Sequence, residues 1–334
     1  MLPTYAADRP TTSLLRPPPH LVPIGLAALK TVAAARGELN PGARRFLDAA
    51  QSVVLGSSHD LDALAPIAPE AVALALAPSP AELRQQLVRA MCLVTLVDGP
   101  PDPRATALVR DYAAALAVDE PALRPIQRYA DGQRLLGWLD FHRRSHLRAM
   151  AQETFEGGFF PAIRALFGLR GLMRDPRLAA PYIALGDLPD GTAGKALHDH
   201  YRRHGFGLPG ELNGFPESGV YHDIVHILGG YDTDAVGELS VGAFCAGFRR
   251  QDPLFTALLP LFVFVARINV TPIAHERVDD LFAQPGIAEA YLKAYERGSR
   301  VKVDLSDHWD FWPFLGRPIE DVRRDLGIAP QLDV

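Results

Sequence analysis

Cysteine is scarce in this chain: Cys92 and Cys245 are the only two among 334 residues. Thiols so far apart exclude a disulfide framework and any closely spaced zinc-ribbon pattern, and they fit a reducing compartment. Excess positive charge is also lacking. The net charge is −5 and the isoelectric point about 6.1, so no basic field invites nucleic acid. Long apolar runs are missing too. The most apolar stretch, Leu254 to Ala266, falls short of the roughly 20 residues a membrane span takes, and Pro260 interrupts it. The proline-rich residues 1–23 carry no apolar core of signal-peptide length and read as an extended or disordered lead-in. A cytoplasmic setting is the expectation.

What is present is helix. Alanine and leucine recur at helical spacing, alternating strand patterns do not, and proline and glycine fall mostly between the apolar segments. The expected class is all-α, and the length predicts two helical domains. In the first half, residues 32–50 and 93–113 share a pattern. An apolar helix stops at Gly37 or Gly99, then Asn40 or Asp102 stands before Pro41 or Pro103 at the start of the next helix. Asp98 and Asp102 could together hold a cation, but capping is the simpler role. Residues 129–152 read as a helical connector, with His142 and His146 as surface residues among its arginines.

The second half carries the chemistry. Gly229 and Gly230 end a helix on which His222 and His226 lie one turn apart, so both imidazoles project from one face. Asp223 adjoins the first, and Glu238 lies about a turn into the next helix, with Asp232, Thr233 or Asp234 as its N-cap. A hairpin folded at the glycines would bring two nitrogens and two carboxylates together, the donor set of a divalent metal site. A solvated helix end carrying acids and imidazoles is the competing reading. His200 and His204 share the spacing, but arginines lie between them and a glycine follows, which suits a helix-capping role.

With no thiolate in the set, zinc, iron(II), manganese or cobalt would all suit it. Asp223 and Glu238 are the candidate catalytic acids, and Cys245 reads as a buried apolar residue. Tyr221, Glu217 and Asn213 could hydrogen-bond the histidines. An oily ligand would find a wall at Phe255, Phe262 and Phe264, with Arg267 at its polar end for a substrate carboxylate or, failing that, a neighbouring acid. His275 and Glu276 read as a helix start. Trp309 and Trp312 read as core residues or membrane-edge anchors.

These motifs carry two resemblances. The paired hairpins, with the Asp98–Gly99 loop, resemble the tellurite-resistance TerB-like helical domain over residues 24–128. The sequence His222-Asp223-x-x-His226, eleven residues and then Glu238 resembles the metal-ligand signature of the fourth protein of the coenzyme Q biosynthesis series. "LPDGTAGKAL", "GELSVGAF" and "AYERGSRVKVDLSDHWDFWPFLGRPIEDVRRDLGI" extend it over residues 153–330. That resemblance implies an all-helical, lipid-accommodating homodimer at a membrane periphery, binding zinc through His222, Asp223, His226 and Glu238. It also implies a part in ubiquinone synthesis, as a decarboxylase and hydroxylase of a prenylated aromatic acid or as a scaffold for the other quinone-biosynthesis proteins. The TerB-like half departs from the family pattern and opens a further reading, a stress-response adaptor.

Overall fold

Proline sets where many of the helices begin. In the computed structural model, which describes residues 14–144, 174–214, 217–268, 270, 278–306 and 309–331, Pro41, Pro69, Pro103, Pro176 and Pro253 each open a helix, where a missing N–H costs nothing. The first half comprises α1 (Val22–Ala33), α2 (Pro41–Ala49), α3 (Pro69–Leu76), α4 (Ala81–Val94), α5 (Pro103–Ala115), α6 (Leu123–Ala130) and α7 (Arg134–Arg144). The second comprises α8 (Pro176–Ala184), α9 (Ala193–Arg203), α10 (Val220–Gly229), α11 (Ala235–Phe248), α12 (Pro253–Pro260), α13 (Ile287–Ser299), α14 (Trp312–Leu315) and α15 (Ile319–Leu326). The described residues contain no strand; the protein is all-α. Among them no helix is long and apolar enough to cross a membrane.

The second of the two repeated loops caps both helices that follow them. Gly37 and Gly99 both take positive φ, the conformation that glycine reaches without strain. Asp102 caps α5 by accepting the N–H groups of Arg104 and Ala105, as the spacing predicts. Asn40 makes no side-chain cap. The Asp98 carboxylate reaches over from the other loop instead and accepts the Ala43 N–H of α2. Gly42 leaves it room, because a Cβ there would lie 2.4 Å from Asp98 Oδ1. Capping, not cation binding, occupies both aspartates.

Val32, Phe46, Leu47, Val88, Met91 and Tyr112 build the core of the first half and are almost wholly buried. That core continues into the second half. Phe46 meets Phe282 edge-on at 5.8 Å and Tyr291 at 6.4 Å, while Phe141 of α7 meets Phe255 and Phe262. Each such side chain contributes roughly 1.5–3 kcal/mol by leaving water. At the centre of the second half α11 packs on α12 and α13. Its crossing with α13 is backbone on backbone: a Cβ on Gly298 would lie 2.0 Å from the Phe244 carbonyl oxygen. The apolar run after Asp252 is helical to Pro260 and then widens to a π-type turn over Leu261–Val265. His142 is half-buried, stacked on Trp138 rather than freely solvated, and burial pulls its pKa down. His146, His275 and Glu276 lie outside the described residues.

Candidate metal centre

The site is built by the return from α10 to α11. Val220, Ile224, Val225 and Leu228 sink one side of α10 into the core. Gly230 ends it at φ +76°, its N–H returning to the His226 carbonyl at 2.7 Å. Four residues later Asp234 caps α11 by accepting the Gly237 N–H at 2.7 Å. Glycine at 237 is required, since a Cβ there would stand 1.9 Å from the Asp232 carbonyl oxygen. This tight turn delivers Glu238 back over the first helix. Two arginines secure the end of α10: Arg323 donates to the carbonyls of Leu228 and Ile227, and Arg297 to that of Gly229.

His222, His226 and Glu238 converge, with one ligand atom from each within 4.8 Å of the others. The Nε2 atoms of the two histidines are 2.9 Å apart. Glu238 places one carboxylate oxygen 3.4 Å from His222 Nε2 and the other 3.4 Å from His226 Nε2. Ligand atoms about 3.4 Å apart are what a tetrahedral ion with bonds of about 2.1 Å holds. The tautomer fits as well. His226 Nδ1 lies 3.1 Å from the Tyr231 carbonyl oxygen, an acceptor only, so Nδ1 carries the proton and Nε2 offers its lone pair inward. His226 is buried, whereas the His222 side chain is 45% exposed, so the cluster opens to solvent on the His222 side.

The charges are mutually supporting. Burial pushes the Glu238 carboxyl up, but hydrogen bonds and charge from His222 and His226 outweigh it and hold it well below the usual carboxylate range. Desolvating surroundings pull His222 down, yet the hydrogen bond and charge of Glu238, with Asp223 behind, leave it raised to about 8. Asp223 is buried and does not join the cluster; its carboxylate accepts the Tyr201 hydroxyl. Burial raises its pKa, offset in part by the His222 charge and the Tyr201 bond.

The other expected contacts lie elsewhere. Glu217 accepts the Tyr182 hydroxyl at 3.0 Å, Tyr221 packs edge-on against Phe311, and Asn213 occupies a left-handed turn at φ +58°. Arg267 pairs with Asp279. Phe255, Phe262 and Phe264 are core residues; Phe262 packs against Tyr129 and Phe141. Trp309 is buried and Trp312 is partly exposed against Tyr182. Cys245 is a buried thiol that burial pushes up.

Sequence reasoning missed Tyr201, Gly237, Arg297, Arg323 and the burial of His200. Gly237 was readable as a glycine beside a candidate ligand; the others act across elements and left no local signal. His200 is buried, its ring 5.8 Å from that of His226 at 26°, and its Nε2 has no hydrogen-bond partner among the described residues. Burial, then the His226 and His204 charges, lowers its pKa to about 4.

No family model matches the chain, and no curated protein matches it. Among solved structures, the chain is similar to a Nostoc punctiforme PCC 73102 protein provisionally named for ubiquinone biosynthesis, with 17% identity. The match covers 74% of this chain and 98% of that one, at a TM-score of 0.33, too loose an overlap to carry residue roles between them.

Proposed function

We propose that the protein is a divalent-metal-dependent enzyme of ubiquinone-type biosynthesis, acting on a prenylated aromatic acid. The convergence of His222, His226 and Glu238 across the hairpin carries this reading. Their nitrogen and oxygen donors suit zinc, iron(II), manganese or cobalt. The resemblance of the motif supplies the substrate class. A divalent ion held there supplies Lewis acidity, drawing charge from substrate oxygens.

In the proposed reaction the bond between ring carbon C1 and its carboxylate breaks and carbon dioxide leaves. One oxygen atom of dioxygen becomes the new ring hydroxyl, which takes up one proton, and an external two-electron donor and two further protons reduce the other to water. The residues divide the work. Tyr231 fixes the His226 tautomer, Tyr201 orients Asp223, and the exposed side of His222 admits substrate. Asp223, beside the cluster, is the candidate proton carrier. The exposed apolar face of α7, with Leu135, Leu136 and Trp138, supports a peripheral membrane association within the same proposal. A homodimer belongs to it as well.

The position of the cluster favours one second reading. An ion there would staple α10 to α11, as it would in a lipid-binding scaffold serving other quinone-biosynthesis proteins. Elemental analysis of the purified protein, with release of labelled carbon dioxide from a carboxyl-labelled prenylated hydroxybenzoate, tests the enzyme reading. Glu238→Ala should abolish release while the protein stays folded. Unfolding of that variant, with no release from the wild type, would leave the scaffold standing.

A further inference from the structure

The orientation of His226 rests on a backbone atom that belongs to no helix. Its Nδ1 donates to the carbonyl of Tyr231, the first residue past the left-handed stop at Gly230. The N–H groups of Gly230 and Tyr231 return to the His226 carbonyl at 2.7 and 3.1 Å, which ties the turn to α10 from one side. A carbonyl in a connecting segment still turns freely unless the residue that carries it is held elsewhere.

Arg297 holds it. This residue stands on α13, a helix that contributes no member of the cluster. Its Nη1 donates to the Gly229 carbonyl at 2.5 Å and its Nε to the Ala329 carbonyl at 2.6 Å. The guanidinium also lies over the Tyr231 ring, 5.4 Å from its centroid, and over the Phe244 ring at 5.3 Å. The Tyr231 ring is packed tightly from below. It meets Phe244 at 5.6 Å, and a Cβ on Gly229 would lie 2.6 Å from its edge. One side chain therefore grips Gly229 by its carbonyl and Tyr231 by its ring, the residues on both sides of the turn.

Arg323 is the useful contrast. It donates to the carbonyls of Ile227 and Leu228, inside α10, and pairs with Glu320. Arg323 finishes the helix, whereas Arg297 fixes what comes after it. The charge of Arg297 is no help to an ion, because like charges repel. Its contribution is geometric.

We infer that Arg297 is a positioning residue of the metal centre. By fixing Gly229 and Tyr231 it holds the carbonyl that keeps the His226 proton on Nδ1 and the Nε2 lone pair toward the ion. This inference rests on the metal-centre reading proposed above.

Cobalt(II) titration of the full-length protein, followed by its visible absorption bands, tests it. Arg297→Lys keeps the charge but replaces the fork that reaches two carbonyls with a single ammonium. It should weaken cobalt binding about tenfold, the lower end of the loss of about 10–100-fold typical when a ligand's hydrogen-bond partner is disturbed. Arg297→Met keeps much of the stem without the charge and should weaken binding at least as much. The bands of both variants should shift, because His226 no longer keeps one orientation. In the metal-free protein, amide exchange at Gly230 and Tyr231 should speed up by at least about tenfold in both. Arg300→Ala, which removes an exposed guanidinium paired with Glu296, is the control and should change none of these.

Wild-type cobalt affinity and bands in Arg297→Lys, or tighter binding by Arg297→Met, would overturn the inference and leave the metal centre standing. A wild type that takes up no cobalt would instead sink the metal-centre reading, and the inference with it. If Arg297→Met does not fold, Arg297→Lys decides.

Discussion

His222 and His226 on α10 and His200 and His204 on α9 share one spacing, and the two helices pack together with His200 stacked on His226. The first pair brings its Nε2 atoms to 2.9 Å, with a carboxylate bridging them. The ring centroids stand about as far apart in both pairs, 4.6 Å in the first and 4.7 Å in the second, but no carboxylate bridges the second. His204, at the C-cap of α9, turns its Nδ1 to the Thr233 hydroxyl at 3.1 Å, and the buried His200 has no partner at Nε2 among the described residues. Spacing alone therefore does not make a candidate ligand pair. What decides is the group that the next element sets opposite: Glu238 for one pair, Thr233 and the more distant Asp232 for the other.

The sharpest way to break this comparison is to remove the bridging acid. Glu238→Ala, like His226→Ala, should lower ion affinity by at least about 100-fold, beyond the loss of about 10–100-fold expected for groups that only support a ligand. His204→Ala should leave the metal content of the purified protein unchanged. Equal losses from the two helices would put the ion between the pairs rather than within the first. Next in size is Tyr201→Phe, which removes the hydroxyl from Asp223. It should cost about 1–3 kcal/mol in stability, read by denaturant unfolding, because a buried carboxylate loses its donor.

The same comparison shows what the sequence could convey. The all-α class was legible from period and punctuation, and the convergence of His222, His226 and Glu238 from the histidine spacing with an acid at hairpin distance. Local rules also supplied the Asp102 cap, Asp234 as one of three candidate caps, and a stop at Gly229–Gly230. They failed where the partner came from another element. Asn40 looked like a cap, but Asp98 reaches over from the sister loop and does its work. The Asp223 carboxylate looked like a ligand, yet it meets Tyr201 of α9. Phe262 and Phe264 looked like cavity wall, but they fill the core, and a cavity of about 690 Å³ is lined instead by α12 and α13 with helices far earlier in the chain. A residue's own neighbourhood in sequence says where its side chain projects; it does not say what will be waiting there.

Gly237 is where the hairpin can be sharpened or spoiled without touching a ligand. Gly237→Ala forces a methyl group toward the Asp232 carbonyl oxygen, from 1.9 Å, so the turn must open. Overpacking of this kind costs about 1–3 kcal/mol. Moving Glu238 with the turn should lower ion affinity about tenfold. Gly316→Ala, with open space around its Cβ position, is the matched control and should do neither. A Gly237→Ala protein that keeps full ion affinity would mean that the turn does not position the acid.

The smallest effect separates the two pairs by pH, in the metal-free protein. His222 is raised to about 8 by Glu238, so its contribution to stability is complete below the unfolded value of about 6.5 and is lost as pH rises through 8. His200 is lowered to about 4, chiefly by burial, so its contribution is present above about 6.5 and is lost as pH falls toward 4. Melting temperatures of the wild type minus those of His222→Gln should therefore shrink with rising pH, and those minus His200→Gln should shrink with falling pH. A bound ion requires His222 unprotonated, so loading the protein should reverse the first trend and leave the second alone. If the ion reversed neither, the imidazole of His222 would not be among its ligands, and the two pairs would differ in surroundings only.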